Sequence, residues 1–405
     1  MASGERLRPF PSFISLEFHM PRQNIVLRAT ASLFLICIVT LAYMCMPAGA
    51  VSVNLPRASE SCAVPVYEYG KASPGLVSVE AGGAALAGNN VGSLWEVGSG
   101  NQSPHRFQGG AAFAKMSVSD WTRLRIGNWW IGGGSGWTEA YDGNADAAQL
   151  WIDLHSGDQH LTSYDPTASN VRLEARWYGV GRSFPLRIGS GEATIELTVR
   201  RITAGEYIDR TVIGSVDGED FAGVVRVISS HAPGGTVVGR GWSCDARTRF
   251  KFGKWSGQAV AEGLMGRLQW QGLAVDDGYI TSPGVFTDSE GFIRDVGGDI
   301  SGISSRTNRS AAVNPSLSLD IMRSTRPSVL FSVAVRSGEP SIVGAGLAWP
   351  QRGKWIPYLR GYTPTNRLEA GVVGDGWRFS VSGDAWLRAD PKNATAEISA
   401  SVVRF

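Results

Sequence analysis

Two sets of residues in this chain have the types and spacing for recognition chemistry. The first is Arg200-Arg201, which closes the cleanest alternating stretch of the sequence. Paired guanidinium groups grip a carboxylate or phosphate through parallel N–H···O bonds, so an exposed pair suits an anionic receptor group. A solvated strand end, balanced by Glu206 or Asp209, is the plain alternative. The second set is Trp121, Trp129, Trp130, Trp137 and Trp151, five of the 14 tryptophans, interleaved with glycines and with Asp142, Asn144 and Asp146. Indole faces stack on the apolar faces of sugars while nearby carboxylates and amides hold hydroxyls, the make-up of a shallow carbohydrate site. The same indoles would equally serve as the core of a sandwich. If Trp129 and Trp130 share a strand, they point to opposite faces.

Bond-breaking chemistry finds less support. The glycine run 132–136 is followed by Trp137, so it makes no G-x-S-x-G nucleophile elbow. Neither a phosphate-cradling GxxxxGK[ST] nor an HExxH motif occurs. His155 and His160 bracket Asp158, with Asp153 upstream, a grouping better suited to a polar strand-end loop than to a metal site. Asp142 and Asp146 would form a glycosidase pair only if the fold brought them together. No enzyme, cofactor or metal ion is implied.

The elements that must position these residues are strands. The chain is 43% hydrophobic and only 18% charged, with 51 Gly and 19 Pro, a composition of short strands and many turns. Its 38 Lys+Arg against 36 Asp+Glu leave no electrostatic footprint for nucleic acid. Period-2 alternation recurs at Val171–Trp177, Ala193–Val199, Val329–Val335, Trp377–Val381 and Ala396–Val402. Each predicts a strand with one apolar and one wet face. Residues 1–50 read as an export signal: Arg22 and Arg28, the uncharged run Ala29–Met46, then Ala48-Gly49-Ala50 as the cleavage site. Met20 is a plausible true start. Export removes Cys37 and Cys45, and leaves Cys62 and Cys244 as one possible disulfide or two unpaired thiols. The polar stretch Ser229–Gly235 divides the remainder into two units, 51–232 and 233–405.

Leu197-Thr198-Val199-Arg200-Arg201, followed by Ala204-Gly205-Glu206-Tyr207, resembles the end of the adhesin domain in tip adhesins of chaperone–usher fimbriae, in particular the initiator/minor-subunit group of alpha (class 5) fimbriae. Gly234–Arg240 with Cys244 is similar to the opening of that group's pilin domain, and Asn393–Val403 to a last pilin strand. The resemblance implies an all-β protein of two immunoglobulin-like β-sandwich domains in tandem. The first would bind a host-cell glycan or anionic receptor through Arg200 and Arg201, with Trp129, Trp130 and Trp137 adding stacking surface. The second would join the fimbrium by strand exchange with a major pilin subunit, after export through the periplasm with a pilus chaperone and an outer-membrane usher.

A signal segment, alternating strands and a C-terminal Phe405 also fit an outer-membrane β-barrel acting as pore or transporter. The last strand argues for the sandwich. With Phe405 on the lipid face, Val403, Ser401, Ser399 and Glu397 would share it, and a carboxylate there is costly. The opposite row, Ala396-Ile398-Ala400-Val402, is apolar but ends on Arg404.

Overall fold

The computed structural model describes residues 52–53, 77–91, 106–156, 163–218, 220–282, 285–287, 293–295, 299–336, 341–349, 355–363, 367–374, 377–383 and 393–404. The export segment 1–50 and Cys62 lie outside the described residues. One sheet holds 18 strand segments, of which Ser52–Val53 and Ser163–Tyr164 are two residues long. The other sixteen make fourteen wall strands, because two walls are each built from two segments laid end to end. In chain order the strands are β1 (Val77–Asn89), β2 (Ala111–Ile126), β3 (Trp129–Asn144), β4 (Thr167–Ile188) and β5 (Gly191–Asp217). They continue with β6a and β6b (Asp220–Ser229 and Gly239–Phe252), β7 (Trp255–Ser282), and β8a and β8b (Asp299–Val313 and Ser316–Arg323). The last six are β9 (Ser328–Arg336), β10 (Ile342–Ala348), β11 (Trp355–Thr363), β12 (Arg367–Gly374), β13 (Trp377–Gly383) and β14 (Asn393–Arg404). A single helix, α1 (Ala145–Ser156), follows β3, its first turn capped by Asn144 Oδ1 accepting from Ala147 N at 2.9 Å.

Every strand pairs antiparallel with its neighbours in sequence, and β14 pairs with β1, Val402 opposite Val79. The wall is therefore a closed barrel with no free edge at this seam. Two immunoglobulin-like sandwiches are excluded, since they would need two separate sheets per domain. The stretch Ser229–Gly235 is no division between sheets. It belongs to a small excursion between β6a and β6b, both of which pair with the same neighbours, β5 and β7. The adhesin reading falls with the sandwiches: β14 is hydrogen-bonded on both sides, by β13 and β1, whereas strand exchange needs an unfilled groove.

The alternation read from sequence is present, but on β5, β9 and β13 its apolar face is the outer one. Phe331 on β9 is 46% exposed outside the barrel, while Ser332 next to it is 2% exposed inside. Leu197 and Val199 of β5 face outward, and Glu196, Thr198 and Arg200 are buried in the interior. From β8b to β13 the outward rows are apolar throughout: Leu317, Leu319 and Ile321; Val329, Phe331 and Val333; Val343 and Leu347; Leu359; Val372; Phe379 and Val381. No charged side chain interrupts them. A nine-residue strand such as β9, at about 3.3 Å per residue and tilted by about 40°, rises about 23 Å. The register also sets Ala396, Ile398, Ala400 and Val402 opposite Ala85, Gly83, Ala81 and Val79 of β1, the row on which Val79 is exposed.

The two rims differ. At one, β2–β3, β4–β5 and β6–β7 are joined by two-residue turns, Gly127-Asn128, Gly189-Ser190 and Gly253-Lys254. Each of these glycines has φ near +60°, the conformation such a turn demands. Connections at the other rim are mostly longer, spanning 90–110, 145–166, 283–298 and 384–392. Trp129, Trp255, Trp355 and Trp377 each open a strand at the tight-turn rim, and Trp349 follows the end of β10 there. Arg182 and Arg323 stack over Trp129 and Trp255 at 5.0 and 5.5 Å.

Glycine explains how indoles fit inside so crowded a wall. A Cβ at Gly134 would come 2.8 Å from Trp177 Nε1, and one at Gly82 2.8 Å from Trp121. Trp130 lies in the same way over Gly181, and Trp270 over Gly239. Each ring lies flat on a glycine of the neighbouring strand. Gly134→Val is expected to lower stability by about 1–3 kcal/mol through overpacking, measured by denaturant titration in lipid vesicles; an unchanged midpoint would contradict this packing.

Candidate functional site

The barrel interior is the candidate site, and three layers of inward side chains build it. At the tight-turn end Arg125 donates to Glu196 Oε2 at 2.7 Å and to Ser183 Oγ at 2.8 Å, while Arg123 lies 3.5 Å from Glu196 Oε1. Beside them Arg200 Nε sits 2.5 Å from Asp245 Oδ2, and its Nη2 lies 3.4 Å from Glu262 Oε1. Alternating Arg, Glu and Thr on one row of a strand put every polar group on the same face, which the barrel turns inward.

Above this charged layer lies an apolar one. Trp177, Ile202, Tyr207, Leu268, Trp270 and Leu273 are buried together there, with Trp130 reaching them from the charged layer and the Tyr207 and Trp270 rings 4.8 Å apart. At the long-connection end, a cavity of about 400 Å³ is lined by Asp209, Thr211, Arg226, Ile228, Thr307, Asn308 and Arg309. Arg309 Nη1 reaches Asp209 Oδ2 at 2.7 Å and its guanidinium lies over the Tyr207 ring at 5.2 Å, so the cavity floor adjoins the apolar layer.

The shorter walls carry their own network. Arg360, buried on β11, contacts Asp320 Oδ1 at 3.1 Å, Ser332 Oγ at 2.7 Å and Tyr362 Oη at 3.2 Å. Glu369 accepts from Tyr358 Oη at 2.7 Å and from Tyr362 Oη, and Arg378 Nη2 is 3.8 Å away. These four charges come from four strands, and each is matched across the wall.

The residues singled out in the sequence are dispersed by this geometry. Arg200 points into the lumen and stacks over Trp177 at 4.6 Å, whereas Arg201 is exposed on the outer face. Consecutive strand residues cannot form one bidentate fork. Trp129 is 52% exposed and Trp130 1%, one outside and one inside. Trp137 lies half-buried on the outer face beneath Arg172, 6.0 Å from its guanidinium. Trp121 faces inward, and Trp151 lies on α1, stacked on His155 at 4.3 Å. Asp153 is occupied by Tyr164 Oη at 2.5 Å and Gln149 Nε2 at 2.7 Å, and no metal-ligand cluster occurs among the described residues. Asp158 and His160 lie outside the described residues. Cys244 sits half-buried on β6b. Sequence reasoning passed over Arg123, Arg125, Glu196, Asp320, Arg360 and Glu369. Their signal was present as charges on alternate positions within otherwise apolar strands.

No family model matches the chain, and no curated protein is significantly similar to it in sequence. Among solved structures it is similar to the toluene transporter TodX of P. putida, with 10% identity over 82% of this chain and 89% of that one, at a TM-score of 0.38. It is also similar to the translocator domain of the autotransporter NalP from Neisseria meningitidis, with 9% identity over 93% and 97% of the two chains and a TM-score of 0.28. The outer membrane protease OmpT from Escherichia coli matches with 7% identity over 82% and 98%, at a TM-score of 0.23.

Proposed function

We propose that the chain is an outer-membrane β-barrel protein that passes small solutes through its lumen as a pore or transporter. One observation carries this reading: the wall from β8b to β13 is apolar outside and holds its charges, Asp320, Arg360, Glu369 and Arg378, inside. In water that arrangement would expose unbroken rows such as Val329, Phe331 and Val333 while burying Arg360, Asp320 and Glu369. In a bilayer it is the stable arrangement, because hydrocarbon accepts only apolar side chains and the ladder from β8b to β14 is paired on both sides of each strand. The tryptophans at the tight-turn rim match an interfacial girdle, and tight turns opposite long connections match periplasmic and outer sides respectively. The cavity at the long-connection end then serves as the entrance.

The protein is expected to require detergent for extraction and to migrate faster on gels before boiling than after. In planar bilayers it should give ion conductance. A monomer that stays soluble without detergent, with no shift on boiling, would overturn the proposal.

A further inference from the structure

The charged layer at the tight-turn end is unbalanced, and this inference rests on the lumen being the working part of the protein. Arg123 and Arg125 reach inward from β2, while Arg247 and Arg249 alternate on the inward row of β6b, with Arg247 directly opposite Glu196. These four guanidinium groups face two carboxylates, Glu80 and Glu196, and the adjoining Arg200 faces two more, Asp245 and Glu262, so five cations of the layer meet four carboxylates. Arg125 is engaged by Ser183 and Glu196, with Glu80 at 3.8 Å. Arg123 is held less fully: its Nη1 lies 3.5 Å from Glu196 Oε1, an ion-pair contact without hydrogen-bond geometry. Its side chain is buried, held between the rings of Trp121 and Trp130 at 5.1 and 4.6 Å. Neither its Nε nor its Nη1 donates a hydrogen bond among the described residues, and the Nε1 of Trp130 is a second buried donor without an acceptor.

Buried donors are nearly always matched. Here the Arg123 guanidinium lies over the Trp130 ring on a face with surplus positive charge, with Gly132 against the Arg123 stem and Gly181 against the Nε1 edge of Trp130. A group that only accepts hydrogen bonds and carries negative charge would complete them. We propose that this layer is an oxyanion-binding site of the lumen, with Arg123 as its principal ligand and the Trp130 N–H as a second donor.

The test uses the purified full chain in detergent micelles and inorganic phosphate as probe. Phosphate should raise the temperature of heat modification by several degrees above sodium chloride at equal ionic strength. Arg123→Gln should abolish that difference. Trp130→Phe, which keeps a stacked ring and loses the N–H, should reduce it, and serves where Arg123→Gln does not fold. An equal effect of phosphate and chloride, or a phosphate effect undiminished in both variants, would overturn the site. The pore reading is separable: phosphate stabilisation with no bilayer conductance would sink the pore and leave the site standing.

Discussion

Phe331→Arg should cost about 2–4 kcal/mol of stability in a membrane, the expense of placing a guanidinium at mid-depth of a barrel's lipid face. Phe331 lies near the centre of β9, with Val329 and Val333 beside it on the outward row and Ala345 of β10 and Ile321 of β8b opposite. Its outward neighbours are all apolar, so in hydrocarbon the charge must thin the bilayer or drag the strand. Refolding into vesicles at graded urea concentrations would show the shift in midpoint. Ile213→Arg is a control away from the lipid face. Ile213 is comparably exposed at 55%, but stands near the Asp217 end of β5 on the row of Asp209 and Thr211, where the long strands outreach the shorter wall. A small effect at Phe331 would mean that water, not lipid, covers the outward face.

Arg360→Met should be similarly damaging, for the opposite reason. It removes the cation that meets Asp320 and leaves that carboxylate buried, with the Ser332 hydroxyl donating to it at 2.7 Å. Breaking a buried pair from one side typically costs about 3–5 kcal/mol, because the desolvated partner is left uncompensated. The double variant Arg360→Met with Asp320→Asn should recover a substantial part of the loss, since the stranded charge is gone. Denaturant midpoints of the three variants in one lipid would decide it. A double variant as unstable as the sum of the singles would show that packing of the Arg360 stem, rather than charge, holds the short wall.

Much of the barrel was legible in the sequence as strands and little of it as a barrel. The alternation at Val329–Val335 and Ala193–Val199 marks strands correctly, because period 2 belongs to the backbone whatever the solvent. Which face meets solvent does not follow from period 2, and Val171–Trp177 shows the ambiguity. Its apolar row Leu173, Ala175 and Trp177 faces inward, whereas the apolar row Leu197 and Val199 on the adjoining strand faces outward. The tall wall is apolar on different sides at different heights, so neither row taken alone reveals the medium. Arg200-Arg201 looked like a fork because both charges are adjacent in sequence, and the pleat sends them to opposite sides of the wall. The partner that Arg200 does find, Asp245, lies 45 positions away on β6b, a distance that spacing rules do not reach. Trp129-Trp130 was the informative dipeptide: two indoles on consecutive strand positions already imply a wall with aromatic residues on both surfaces.

The pairing of β14 with β1 has a consequence for assembly. Elsewhere each wall strand finds its partner a turn or a loop away, so zippering can proceed hairpin by hairpin along the chain. The β1–β14 join alone unites positions roughly 320 residues apart. By the (3/2)RT ln n scaling, that separation carries a loop-closure entropy of about 5 kcal/mol, incurred in a single late step. The ring itself has no preferred beginning. Joining the two ends of the barrel and reopening the chain at Gly253-Lys254 would move the long-range join to β6b and β7 while leaving every rung of the ladder in place.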